Sequence, residues 1–170
     1  MKNKTLVIQT NTFPTVSETF IVSNIVEAIK QGYDVKIIAK HKRASTFSSQ
    51  TELFNKYQLL SKVKSFKQPT KPYKRYLYAL FCLLHPTVLV YFIKLWREEN
   101  KASLTYLYKL YFYRQFRKAH IIHVHFATAA DVIPMFKKLG FIKSKLIVTL
   151  HGYDAHFKDK KNQQQLQNKY

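Results

Sequence analysis

A single cysteine, Cys82, stands in 170 residues, so the chain can form no internal disulfide and has no cysteine cluster with which to hold a metal. Glycine is almost as scarce, limited to Gly32, Gly140 and Gly152. Neither a G-x-G-x-x-G nor a Walker A sequence occurs, which argues against a nicotinamide-dependent or P-loop enzyme. Acidic residues are few: 9 Asp and Glu face 29 Lys and Arg, a formal charge of +20. That excess favours polyanions or anionic membrane surfaces as partners and says nothing about fold. A lysine-rich solvated surface accounts for it equally well. Long apolar runs are also missing. Leu6-Val7-Ile8, after a basic start, is too short for a signal-peptide core, and nothing points to secretion. Tyr76–Trp96 is about long enough to span a bilayer, but His85, Pro86 and Lys94 interrupt it. A buried helix pair broken at Pro86 is expected there, in a chain that is soluble or peripheral. The expected location is cytoplasmic, with peripheral contact on the inner face of the cell membrane.

What is present suits a globular chain. Hydrophobic residues make up 46%, enough for the core of one domain of ordinary size. Lys4–Gln9 reads as a first strand. A helix follows, with Thr15 and Glu18 at capping-box spacing and Gly32 where a left-handed cap is needed. Asp34–Ala39 reads as a second strand, closing a βαβ unit of the usual size. Glu52–Leu60 reads as a short helix and Lys62–Phe66 as a third strand. Tyr73–Leu84, Thr87–Asn100 and Ser103–Lys118 are apolar-aromatic segments of helical length. His120–His125 is a strand, Thr128–Leu139 a helix ending before Gly140, and Lys143–Leu150 a last strand. The predicted fold is α/β, a Rossmann-like open parallel sheet with helices on both faces. It occupies residues 1–157, and 158–170 is a polar tail or a truncated helix.

Three strand ends carry polar clusters, and ligands of open α/β sheets collect beyond such carboxyl ends. Gln9 leads into Thr10-Asn11-Thr12-Phe13-Pro14, Val124 into His125-Phe126-Ala127, and Leu150 into His151-Gly152-Tyr153-Asp154. The first turn offers hydroxyls, an amide and helix-start N–H groups suited to a sugar or phosphate oxygen; for Glu18, capping competes with ligand contact. His123 and His125 share a strand face. Their spacing also suits a metal, completed by His151 or Asp154, but a packing role is expected for His123 and no metal site is predicted. His120 and His156 are expected to face solvent. His151 is the principal candidate, since an imidazole there can donate to a hydroxyl or phosphate and titrates near neutrality. Gly152 permits close backbone approach, and Asp154 either orients His151 or closes an Asx turn. Rings interleaved with cations in Tyr73–Lys118 suit a membrane surface, although core packing explains the rings too. No RNA-binding signature accompanies them, so nucleic acid is not an expected partner.

In order, Phe13–Ile21, Gly32-Tyr33-Asp34-Val35, His123–Ala127 and Val148–Asp154 resemble the amino-terminal domain of family 4 glycosyltransferases of the GT-B fold, those building capsule, colanic-acid-like or other surface polysaccharides. The resemblance covers nearly the whole chain, matching in character only between Pro72 and Lys118. It implies one of two Rossmann-like halves of a retaining enzyme. That enzyme transfers sugar from a nucleotide-sugar donor to a lipid-linked or polysaccharide acceptor, without a metal or other cofactor. His151 would stand in the catalytic position. Thr12, Phe13, Ser17, Glu18, His125, Gly152, Tyr153 and Asp154 would bind substrate. The first loop lacks the family's paired glycines, and Tyr33 replaces a frequent histidine. The two donor-binding glutamates spaced eight apart are absent; Glu18 and Glu27 are nine apart. The donor-binding half is therefore expected to be missing, encoded separately or lost, and the chain inactive alone. A non-enzymatic alternative is a basic peripheral-membrane module using Lys74, Arg75, Arg114 and Arg117. A metal-dependent hydrolase on His123, His125 and His151 is the remaining one.

Overall fold

The computed structural model describes residues 4–151. Five strands form one all-parallel sheet: β1 (Thr5–Phe13), β2 (Asp34–Lys42), β3 (Val63–Lys64), β4 (Ile121–His125) and β5 (Lys145–Thr149), in the order β3-β2-β1-β4-β5. With helices around it, the arrangement is the Rossmann-like α/β fold anticipated above. Strands covered on both faces bury consecutive residues, as β1 does at Val7 and Ile8 and β2 at Ile37, Ile38 and Ala39. β1 is longer than expected. Thr10, Thr12 and Phe13 pair with Ala39, His41 and Lys42, so the predicted turn after Gln9 is strand. β-branched threonines fit a pleated surface, and the paired β2 extends equally far.

α1 (Thr19–Lys30) buries Ile21, Val22, Ile25 and Val26. Each such side chain contributes roughly 1.5–3 kcal/mol when removed from water. Gly32, at φ +83°, ends the helix as predicted: its N–H donates to Ile29 O and that of Tyr33 to Ala28 O, the paired bonds of a Schellman cap. The start is a correction. Glu18 occupies the N-cap position without a side-chain cap bond, and no capping box forms. α2 (Thr51–Lys56) is a short helix before β3. The helix expected over Thr128–Leu139 is also divided. A 3-10 turn (Ala127–Ala129) and Asp131 at φ 49° precede α6 (Ile133–Lys138).

By contacts the described residues divide into two compact units, 4–65 with Ala119–Pro134 and 144–151, and Phe66–Lys118 with Met135–Lys143. The sheet belongs to the first. The second holds α3 (Pro72–Leu83), α4 (Pro86–Glu99) and α5 (Leu104–Tyr113). α5 is its core: Leu107, Tyr108, Leu110 and Tyr113 are buried, and the Tyr108 hydroxyl donates to Arg75 O at 2.6 Å. α3 and α4 meet at 105°, and among the described residues no single helix is long and apolar enough to cross a membrane. The helix pair broken at Pro86 forms as expected, but it is not buried. α3 buries only Ala79 and Cys82, and α4 only Val88 and Leu95. Both helices carry apolar residues around more of their circumference than one packed face can cover, so Tyr76, Leu77, Leu80, Phe81, Leu84 and Trp96 lie exposed.

Candidate functional site

β1 lies at the centre of the sheet, with β2 and β3 on one side and β4 and β5 on the other. The change of direction between β1 and β4 is a topological switch point, where the crevice of an open parallel sheet lies beyond the carboxyl ends. His125 ends β4 there, and His151 follows β5 by two residues. Parallel register sets His125 beside Thr149 and, one step past the Gln9–Val124 pair, level with Thr10. His123 lies on the same face as His125, its ring centroid 4.2 Å away, as two-residue spacing on a strand requires.

The imidazoles form a connected group. His123 Nε2 and Thr149 Oγ1 are 2.8 Å apart, and His125 Nδ1 and His151 Nε2 are 3.3 Å apart. The His125 and His151 rings stack at 5.5 Å and 20°. Phe20, from the first turn of α1, packs on His151 at 4.6 Å, and Phe126 packs on it at 4.5 Å. His151 is half-buried between these rings, whereas His125 is only 1% exposed. Burial, reinforced by the neighbouring His123 and His151, pushes the His125 imidazole down to about 4. Burial and His151 also lower His123. Desolvation disfavours the charged form, so both rings are neutral at pH 7. A neutral ring has one N–H and one lone pair, so contact with His151 uses one and leaves the other on Nε2.

That second nitrogen is buried and has no partner among the described residues. The same holds for Thr10 Oγ1, Thr15 Oγ1 and Glu18 Oε2, on or just after β1. Leaving such a group unsatisfied costs about 1–3 kcal/mol. Nearby, other polar side chains fasten the strand ends: Gln9 Nε2 donates to Ala129 O at 2.5 Å and Asn11 Nδ2 to Thr128 Oγ1 at 2.9 Å. Phe126 takes φ 72° while its N–H donates to Thr149 O. A bulky residue at positive φ is held by its surroundings at a cost of about 1–3 kcal/mol.

Of the predicted site residues, the structure brings His125 and His151 together. Glu18 and Ser17 lie just before α1, Ser17 exposed and Glu18 partly buried. Thr12 is a half-buried position of β1 paired with His41. Phe13 is 1% exposed and its ring packs on Phe54, centroids 5.3 Å apart and tilted by 33°, so the side chain belongs to the core. Its large apolar ring gains more there than at a solvated edge. Gly152, Tyr153, Asp154 and His156 lie outside the described residues. His120 is exposed, as expected, and accepts from the Thr5 N–H. The sequence reading missed Phe20 and Phe126, which flank His151, whereas the hydroxyls of Thr10 and Thr15 belong to the stretch after Gln9 that it named. An aromatic residue directly after the H-x-H pair was the available signal. Among the described residues no group of three or more His, Cys, Asp or Glu is arranged to hold a metal ion. The ring nitrogens of His125 and His151 address each other instead of a common centre.

No protein-family model, curated protein or solved structure matches the chain. A carboxyl-edge cluster of imidazoles, with the Thr10 hydroxyl level with His125 and without a partner among the described residues, both donates and accepts hydrogen bonds. Flat aromatic faces border it. Polyhydroxylated ligands present the complementary groups.

Proposed function

We propose that the chain is the acceptor-side half of a retaining glycosyltransferase, resembling family 4 enzymes of the GT-B type that build surface polysaccharide. The observation carrying this reading is the His125–His151 pair, clasped by Phe20 and Phe126 at the switch point of the sheet. In it, His151 lies beside the transferred sugar and hydrogen-bonds it. His125 fixes the His151 ring, and the Thr15–Glu18 segment supplies oxygen acceptors. The acceptor is a lipid-linked sugar or a growing polysaccharide. The donor is a nucleotide sugar, and because no acidic pair spaced eight apart occurs within these 170 residues its binding is assigned to groups outside them.

The test is transfer from radiolabelled nucleotide sugars to extracted membrane lipids. It is run with the purified chain alone and with the donor-binding domain of a family 4 enzyme added. Transfer is expected only in the mixture and is abolished by His151→Ala. Transfer by the chain alone would refute the split-site reading, and transfer indifferent to His151→Ala would refute the role of the histidine.

A further inference from the structure

The exposed residues of α3 and α4 are ordered. On α3, Tyr73, Tyr76, Leu77, Leu80, Phe81 and Leu84 recur at intervals of three and one, the stripe of a 3.6-residue helix. Ala79 and Cys82 face the other way and are buried. On α4, Leu89, Val90, Ile93 and Trp96 form a second stripe opposite buried Val88 and Leu95. These are not scattered surface residues: Leu84 is 73% exposed, Tyr76 70% and Trp96 59%. A contiguous apolar face of this kind marks an interaction surface.

The charges around it select the partner. No Asp or Glu occurs between Glu52 and Glu98. Lys67, Lys71, Lys74 and Arg97 are exposed in the same segment. The two acids that end α4 are matched within the unit, Glu98 by Lys94 at 3.7 Å and Glu99 by Lys138 at 2.8 Å. A second copy of the chain is a poor occupant, because each copy carries +20 and would bring cations against cations. The aromatic, aliphatic and cationic composition matches the water–bilayer boundary, where rings settle at headgroup depth and Lys and Arg meet anionic lipid. Neither helix alone is long and apolar enough to cross a bilayer; together they pass that test only as a pair bent by 105°, and their exposed stripes suit lying in the interface.

We infer that the exposed face of α3 and α4 docks on an anionic bilayer, embedding the Tyr73–Leu84 and Leu89–Trp96 stripes in the headgroup layer. The inference rests on the exposed face alone and does not depend on the sugar-transfer reading. Arg114 and Arg117 are not part of this surface. Arg114 stacks over Tyr111 at 4.3 Å, and Arg117 Nε donates to Phe141 O at 3.3 Å, so both serve packing.

Trp96 is the sole tryptophan and lies on the proposed face, so its fluorescence reports this contact directly. The full chain is mixed with vesicles of phosphatidylcholine, with and without phosphatidylglycerol, then followed by flotation and Trp96 emission. Flotation with the anionic vesicles and a blue shift of Trp96 are expected, with little of either on neutral ones. Leu77→Asn combined with Leu80→Asn and Phe81→Asn should lower partitioning at least tenfold while far-UV circular dichroism is unchanged. Lys67→Glu, Lys71→Glu and Lys74→Glu should each lower it about fivefold or more. His151→Ala should bind as the native chain does, so failure here is separable from failure of the sugar-transfer reading. Absence of flotation, equal binding to neutral vesicles, or binding untouched by the stripe substitutions would overturn the inference. So would a dimer in sedimentation velocity that the stripe substitutions dissociate, or binding to polyglutamate without binding to vesicles.

Discussion

At the level of single residues, the site depends on an imidazole that stays neutral. His125 is held near 4 against an ordinary 6.5, and His123 is lowered in the same direction. A ring that binds its proton more weakly folded than unfolded stabilises the fold fully above pH 6.5. That contribution is lost as pH falls from there toward about 4. Urea unfolding at pH 7 and pH 4 should therefore show an acid penalty on the order of 2–3 kcal/mol larger in the native chain than in His125→Gln. Equal penalties in the two proteins would mean that His125 is neither desolvated nor pressed by its neighbours as the geometry requires. His151 was readable as a candidate because it follows an apolar run. Its partners were not, because Phe20 and Phe126 reach it only after strand pairing brings α1 and the end of β4 beside β5. Phe13 shows the converse. Its position after a strand suggested the crevice, but only the fold reveals that Phe54 waits beneath it.

The elements were the most legible level. Short β-branched runs placed four of the five strands within a few residues, and Lys62–Phe66 contains the two-residue β3. Local chemistry was enough for Gly32, where a left-handed cap needs a residue without Cβ. It was not enough for β1, whose last four residues are strand because β2 extends alongside them. Nor was it enough for Thr15 and Glu18, whose capping-box spacing is satisfied in sequence and unused in space. The helices α3 and α4 mark the physical limit: periodicity says that a face is apolar, not whether anything covers it. Stability measurements separate the two faces. Leu95→Ala, at a fully buried position, should cost about 2–5 kcal/mol in urea unfolding, as other large-to-small core changes do. Leu80→Gln, at 61% exposure, should stay within about 0.5 kcal/mol of the native chain. A comparable loss at both positions would show the stripe to be covered by protein in solution.

For the molecule as a whole, the unbalanced charge ties stability to association. At +20, with long stretches free of acids, the folded chain repels itself. Dissolved salt screens that repulsion over about 10 Å at 0.1 M. Raising sodium chloride from low to physiological strength and beyond should therefore raise the melting temperature, by about 2–4 °C for each kcal/mol of repulsion relieved. The same salt should weaken attachment to anionic vesicles, because lipid attraction uses the cations that screening neutralises. The two responses must run in opposite directions if one set of exposed lysines and arginines is responsible for both. Charge-reversed Lys67→Glu/Lys71→Glu/Lys74→Glu protein, with less repulsion to relieve, should gain less from salt and bind vesicles weakly at every concentration. A melting temperature that falls with salt would instead mean that its net effect is to loosen favourable ion pairs, and that the excess of cations is spaced widely enough to cost the fold nothing.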